Sequence, residues 1–203
     1  MTETGRPSRI LVTGGAGYIG SHTVVELQQR GHAVVIVDNL SNSRADVVDR
    51  IAEITGVRPE FHNFDLTDRA KTEAFFASTP DLGAVIHFAA RKAVGESMRD
   101  PLAYYGNNLE SLLRVLEGMR RHGPRHLVFS SSATVYGQPD ELPVRETSPV
   151  REAWSPYGST KQMAEEILRF SVAAYGLRAV ALRYFNPVGA HESALIGELP
   201  LGV

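Results

Sequence analysis

The chain contains no cysteine. A disulfide framework and a thiolate zinc site are therefore excluded, and the seven histidines are scattered without ligand spacing, so no metal is expected. Any redox chemistry has to come from a bound cofactor. Neither sign of charge dominates, with 21 Lys+Arg against 23 Asp+Glu, which leaves no basic excess for a nucleic acid or an anionic membrane. No apolar run is long enough to cross a bilayer, and residues 1–8 are polar with no apolar core of a signal peptide. A soluble, cytoplasmic protein is expected. Lysine is also scarce: Lys71, Lys92 and Lys161 are the only three, and every other cation is an arginine.

What is present is enough apolar material, 43% of 203 residues, to build the core of one domain. Short β-branched runs alternate with segments of helical period, the pattern of βαβ units in a parallel sheet covered on both faces. The reading is Arg9–Thr13 strand, Tyr18–Arg30 helix closed by Gly31, Ala33–Asp38 strand, then a helix from a Ser43 cap through Ile54. A third strand follows near Phe61. The second half repeats the scheme: helix Asp68–Ala77, strand Ala84–Phe88, helix Pro101–Arg121, strand His126–Ser130, helix Pro156–Tyr175 and strand Ala179–Tyr184. Right-handed crossovers make this an α/β doubly wound parallel sheet, a dinucleotide-binding Rossmann arrangement. Gly137–Ser155, with Pro139, Pro143 and Pro149, is expected to be a long surface loop, the kind that is usually functional or mobile.

Between the first strand and first helix lies Thr13-Gly14-Gly15-Ala16-Gly17-Tyr18-Ile19-Gly20. Gly15, Gly17 and Gly20 satisfy G-x-G-x-x-G, and Gly14 begins an overlapping G-x-x-G-x-x-G. Glycines there allow a tight turn and let backbone approach a pyrophosphate, whose charge meets free N–H groups and the positive end of the helix dipole. Asp38 closes the second strand about twenty residues on. Its carboxylate would bind adenosine ribose hydroxyls and repel a 2′-phosphate, which favours NAD over NADP.

Tyr157 and Lys161 form a Y-x-x-x-K pair opening a helix, so phenol and ammonium share a face one turn apart. A cation that close is expected to lower the phenol's pKa by roughly 1–3 units, toward the range where it takes a proton from an alcohol. Upstream, Ser130-Ser131-Ser132 brings hydroxyls to the C-terminal end of a strand, where ligands of α/β sheets bind. Two of the three lysines, Lys92 and Lys161, fall at this site. A compact ammonium suits ribose hydroxyls and a phenolate better than a planar guanidinium does.

Five blocks in order, Thr13–His22, Phe88–Ser97, Ser130–Gly137, Ser155–Lys161 and Leu182–His191, resemble the UDP-glucose 4-epimerases, a family of extended short-chain dehydrogenases/reductases. The resemblance runs from about Ile10 to the last residues. It implies NAD as a bound prosthetic group, a UDP-hexose as substrate, Tyr157 as the proton acceptor at the sugar 4-hydroxyl, and Ser132 on the 4-oxygen. Lys161 would hold the nicotinamide ribose. The positions matching the family's cofactor contacts are Gly14, Gly15, Gly17, Tyr18, Ile19, Gly20, Asp38, Asn39, Leu40, Ser41, Asn42, Ser43, Asp65, Leu66, Phe88, Ala89, Ala90, Arg91, Lys92, Asn107, Ser132, Tyr157, Lys161 and Phe185. Lys92, Ser132, Tyr157 and Asn186 would face the substrate. Ala90 stands where the family often has glycine.

Two rival readings remain. A nucleotide-sugar 4,6-dehydratase needs a further acid and base, which resembling dehydratases carry as an Asp-Glu pair after the Ser/Thr; here Ala133 and Thr134 follow Ser132, and neither works as a carboxyl does. The other rival is an NAD-binding module with little catalysis. By resemblance, residues 1–8 are a polar tail, 9–190 the NAD-binding domain and 191–203 the start of a substrate domain whose remainder the chain is expected to lack. That remainder would close over the UDP-sugar and leave apolar surface exposed when absent. A homodimer is implied for the full-length enzyme.

Overall fold

Six strands form one parallel sheet in the computed structural model of the chain, which describes residues 9–199. In chain order the elements are β1 (Arg9–Thr13), α1 (Tyr18–Gln29), β2 (Val34–Asp38), α2 (Asp46–Thr55), β3 (Glu60–Asn63), α3 (Arg69–Ser78) and β4 (Leu82–His87). There follow α4 (Val94–Arg99), α5 (Pro101–His122), β5 (His126–Ser132), a 3-10 turn (Ala133–Tyr136), α6 (Pro156–Tyr175) and β6 (Arg178–Tyr184). The sheet order is β3-β2-β1-β4-β5-β6, and each neighbouring pair is parallel. The order reverses between β1 and β4, and beyond the C-terminal ends of the strands that reversal opens the crevice in which such sheets bind ligands. Residues 1–8 and 200–203, the predicted tail and the end of the predicted second domain, lie outside the described residues.

Two apolar layers hold the sheet. On one face Leu11, Val35, Val37, Val85, Leu127 and Phe129 pack against Phe75 and Phe76 of α3, Leu112, Val115 and Met119 of α5, and Ala164 and Leu168 of α6. On the other face Ile10, Val12, Val34 and Ile36 meet Val24 and Val25 of α1 and Val47 and Ile51 of α2. Alternate residues of one strand serve opposite layers, which is why β1 and β2 read as nearly unbroken runs of Leu, Val and Ile. The second layer is built on β1 and β2, with Phe61 of β3 and Ile86 of β4 packed against it. Val180 and Leu182 on β6 are exposed.

The elements follow the predicted order with differences at their ends. Gly31 has φ +83° just past α1, as a glycine that stops a helix should. Ser43 does not cap α2, which starts later with Ala45 at the cap; its hydroxyl instead donates to Asp38 Oδ1 at 2.9 Å. The charge-assisted bond holds the Ser43 side chain at the end of β2, two residues short of the cap of α2. Helix α4 is an element the sequence pattern does not announce, since its six residues include Gly95 and bury only Ser97. β5 runs two residues further than read and carries Ser132 as its last residue.

Helix α5 approaches α3 at Gly118, where an added Cβ would lie 2.2 Å from the ring of Phe76, itself fully buried. Overpacking of this kind costs about 1–3 kcal/mol, against which alanine's better helix propensity returns under about 1 kcal/mol. Gly118→Ala is therefore expected to lower Tm by about 2–6 °C in thermal unfolding; an unchanged or raised Tm would show that the interface is looser than described.

Candidate active site

The crevice is built from the ends of β1, β2, β4 and β5. Gly14, first residue after β1, has φ +68°, and a Cβ on it would lie 2.8 Å from the Ala89 nitrogen. At Gly20 a Cβ would lie 2.1 Å from the Gly14 carbonyl, so α1 closes onto its own loop only because that position is glycine. Gly17 caps α1 without any side-chain hydrogen bond. Its flank is nearly open, with only the Gly14 carbonyl within reach of an added Cβ. The first-turn N–H groups at Tyr18 and Ile19 are thus left to an anion at the positive end of the helix. This cradle fits the pyrophosphate of a dinucleotide.

Asp38 is 9% exposed and is already engaged: Oδ2 accepts from the Ala16 nitrogen at 3.1 Å, and Oδ1 accepts from the Leu40 nitrogen at 2.9 Å and from Ser43. It ties the glycine loop to the turn after β2, a role the sequence did not suggest beside the ribose contact expected of it. In the same turn Asn39 donates to Asp65 Oδ2 at 2.8 Å, and Ser41 and Asn42 are exposed. Burial pushes the Asp65 carboxyl up, but hydrogen bonds from Thr67 and Asn39 outweigh it and hold the pKa below its ordinary value. Leu66 points into the core, leaving only its backbone for a ligand.

After β4, Phe88, Ala89 and Ala90 run beside the glycine loop, with the Phe88 nitrogen donating to the Thr13 carbonyl at 3.0 Å. Arg91 is held through its backbone by Asn108, whose Oδ1 accepts at 2.8 Å and whose Nδ2 donates back at 3.0 Å. Asn108 Nδ2 also reaches Thr160 Oγ1 at 3.2 Å, linking the post-β4 segment to the first turn of α6. Asn107, the matching position in the resemblance, is half-buried beside it. The signal for Asn108 was available: it interrupts the buried α5 stripe of Tyr104, Ser111, Leu112 and Val115 with an amide that must find partners. Lys92 forms an ion pair with Glu198 at 2.8 Å. Phe185 and Asn186 follow β6 and are exposed, Phe185 at 62%.

Tyr157, Lys161 and Ser132 do come together where α6 meets the end of β5. Ser155 caps α6 through the Gly158 nitrogen at 3.1 Å and Pro156 opens it, which places Tyr157 in the first turn. Lys161 is 4% exposed; its Nζ donates to the Ser130 carbonyl at 2.7 Å and lies 4.9 Å from the Phe129 ring centre and 5.7 Å from that of Tyr157. His87, stacked on Phe129, shares a 2.7 Å hydrogen bond with Thr13 and carries the contact on to the glycine loop.

The electrostatics correct one expectation. Burial raises the Tyr157 pKa above its ordinary value, and hydrogen bonding with Ser132 only opposes that rise. The ammonium hydrogen-bonds the Ser130 carbonyl, and desolvation of the phenol prevails. Burial also brings Lys161 down to about 8, and burial with the nearby Lys161 brings His87 down to about 3, so His87 is neutral at ordinary pH. The unfolded chain holds the lysine proton up to its ordinary value of 10.5. The folding penalty is therefore full below pH 8 and fades as pH rises from about 8 to 10.5. Lys161→Met should raise stability near pH 7 by up to about 3 kcal/mol, a gain that shrinks above pH 8. Denaturant unfolding of both chains near neutrality and in mild alkali checks this, and a loss of stability near pH 7 would contradict it.

Comparison with known proteins agrees with the geometry. The family model described as the NAD dependent epimerase/dehydratase family matches residues 10–198. The chain is 53% identical over 195 residues to the UDP-glucose 4-epimerase of Bacillus subtilis, covering 96% of this chain and 57% of that protein. It resembles the crystal structure of UDP-glucose 4-epimerase from Bifidobacterium longum in complex with NAD+ and UDP, with TM-score 0.92 and 48% identity over 96% of this chain and 58% of that one. The Stenotrophomonas maltophila enzyme with bound NAD and formylated UDP-arabinopyranose gives TM-score 0.91 and 54% identity, over 96% and 58%. The chain thus spans a little over half the length of these relatives. The family match covers nearly every described residue, and the chain belongs to the NAD dependent epimerase/dehydratase family.

Proposed function

We propose that the chain binds NAD across the strand ends and that Tyr157, Ser132 and Lys161 serve the NAD-dependent 4-epimerisation of a UDP-hexose, interconverting UDP-galactose and UDP-glucose. The observation that carries this reading is the convergence of a phenol, a hydroxyl and a buried ammonium at the end of β5, across β4 from a glycine cradle for pyrophosphate. The relatives named above are UDP-glucose 4-epimerases, two of them crystallised with NAD and a uridine nucleotide.

The Gly14–Gly20 loop and the α1 N-terminus would hold the pyrophosphate, with Asp38 at the adenosine ribose. Tyr157 takes the proton from the sugar 4-hydroxyl as that carbon is oxidised to a 4-keto form, and returns it when the carbon is reduced on its opposite face. When bound, NAD supplies the hydride acceptor and donor and a positive charge beside the phenol. Ser132 hydrogen-bonds the 4-oxygen in both states of the sugar. Lys161 stays fixed on the Ser130 carbonyl and favours the phenolate by charge, the pull that burial opposes in the protein alone. Ala133 and Thr134 offer no carboxyl for the extra proton transfers of a dehydratase.

A second reading, NAD binding without conversion, is favoured by the chain's spanning only 57–58% of these relatives. Incubation with UDP-galactose and NAD separates the two. Formation of UDP-glucose is expected, and retention of NAD with no product would decide for the second reading. Tyr157→Phe should reduce turnover by about 10²–10⁴-fold with NAD still bound; turnover close to that of the parent would remove Tyr157 from the mechanism. Asp38→Ala should weaken NAD affinity by about 10–100-fold in a fluorescence titration, the equivalent of a lost charge-assisted hydrogen bond. Unchanged affinity would count against the ribose assignment.

A further inference from the structure

Three residues of α6 at i, i+4 spacing, Tyr157, Lys161 and Glu165, meet three consecutive serines of β5. The Ser130 carbonyl accepts from Lys161 at 2.7 Å, Ser131 donates to Glu165 Oε1 at 2.6 Å, and Ser132 lies near enough to the Tyr157 phenol to oppose the rise that burial imposes on its pKa. Glu165 is gripped in turn from β6: Arg183 Nε donates to Oε1 at 3.0 Å and Nη2 to Oε2 at 2.7 Å. The two side chains are 18% and 22% exposed, and the guanidinium lies 4.8 Å from the centre of the Tyr136 ring in the turn after Ser132. The fork thus fastens α6, β5, β6 and that turn at one point.

We propose that Glu165 and Arg183 are positioning residues for Tyr157, setting the register of α6 along β5 so that the phenol meets Ser132. The apolar contacts beneath α6, from Ala164 and Leu168, are non-directional and tolerate sliding, whereas a bidentate ion pair is directional. A slip of one residue moves a helix by about 1.5 Å, and a fraction of that separates a phenol from its hydrogen-bond partner. The pair lies two turns from Tyr157 and touches no reacting atom. The proposal rests on Tyr157 being the proton carrier.

The test is the ionisation of Tyr157 itself. Tyrosines are replaced by 3-fluorotyrosine, whose fluorine signal reports ionisation at lower pH, and the Tyr157 resonance is assigned by its loss in Tyr157→Phe. Glu165→Ala should move its midpoint up by about half to one pH unit, the equivalent of one lost hydrogen bond. Removing a carboxylate acts directly in the opposite direction, so a rise cannot come from the charge. Arg183→Lys keeps the charge and loses the fork; it should shift the same way, and it decides the matter if Glu165→Ala does not fold. A midpoint that stays or falls in the folded variant overturns the proposal. With UDP-galactose and NAD, kcat should fall while KM changes little. A shifted midpoint in a chain whose parent converts no UDP-galactose leaves the positioning role standing and sinks the epimerase reading instead.

Discussion

A lysine ammonium with 4% exposure is an expensive object to hold inside a protein, and the ends of the strands are arranged around it. Lys161 keeps a carbonyl, two aromatic faces and little water. Its charge helps keep His87 neutral, and His87, fixed by Thr13 and stacked on Phe129, joins the Lys161 corner to the glycine loop. The same low-dielectric surroundings raise the Tyr157 phenol, so the protein alone holds the residue protonated. A further positive charge placed in the crevice would draw that pKa back down.

The cofactor end of the crevice depends on backbone rather than charge. Gly14 and Gly20 let the loop, α1 and the segment after β4 come closer than any side chain permits, and Asp38 stitches that loop to the turn after β2. Asn108 does the corresponding work on the other side, tying the segment of Arg91 to the head of α6. Buried polar side chains, one at a strand end and one on a helix, thus set the distances between loops that share no sequence proximity.

Much of this was legible in the residues. Runs such as Leu11-Val12 and Val34-Val37 are apolar on both faces, which only a strand covered on both sides tolerates, and the glycine fingerprint with Asp38 lay in the right order. Tyr157, Lys161 and Ser132 were recoverable because helix period and strand end are local properties. Glu165 was equally visible as the next residue of the Tyr157-Lys161 stripe, but its meaning required Arg183 eighteen residues on. Ser43 was misread because its partner, Asp38, belongs to a neighbouring element rather than to the helix it precedes.

The sequence by itself determined the class of the fold, the order of its elements and which residue types could carry a proton or cradle a pyrophosphate, because periodicity and turn chemistry act within a few residues. Only the tertiary structure decided that Lys161 bonds to Ser130 rather than to the phenol, that burial raises Tyr157, and that Asn108 and Glu165 are anchors. Those outcomes follow from desolvation and from hydrogen bonds between distant segments, and both exist only once the strands have been brought side by side.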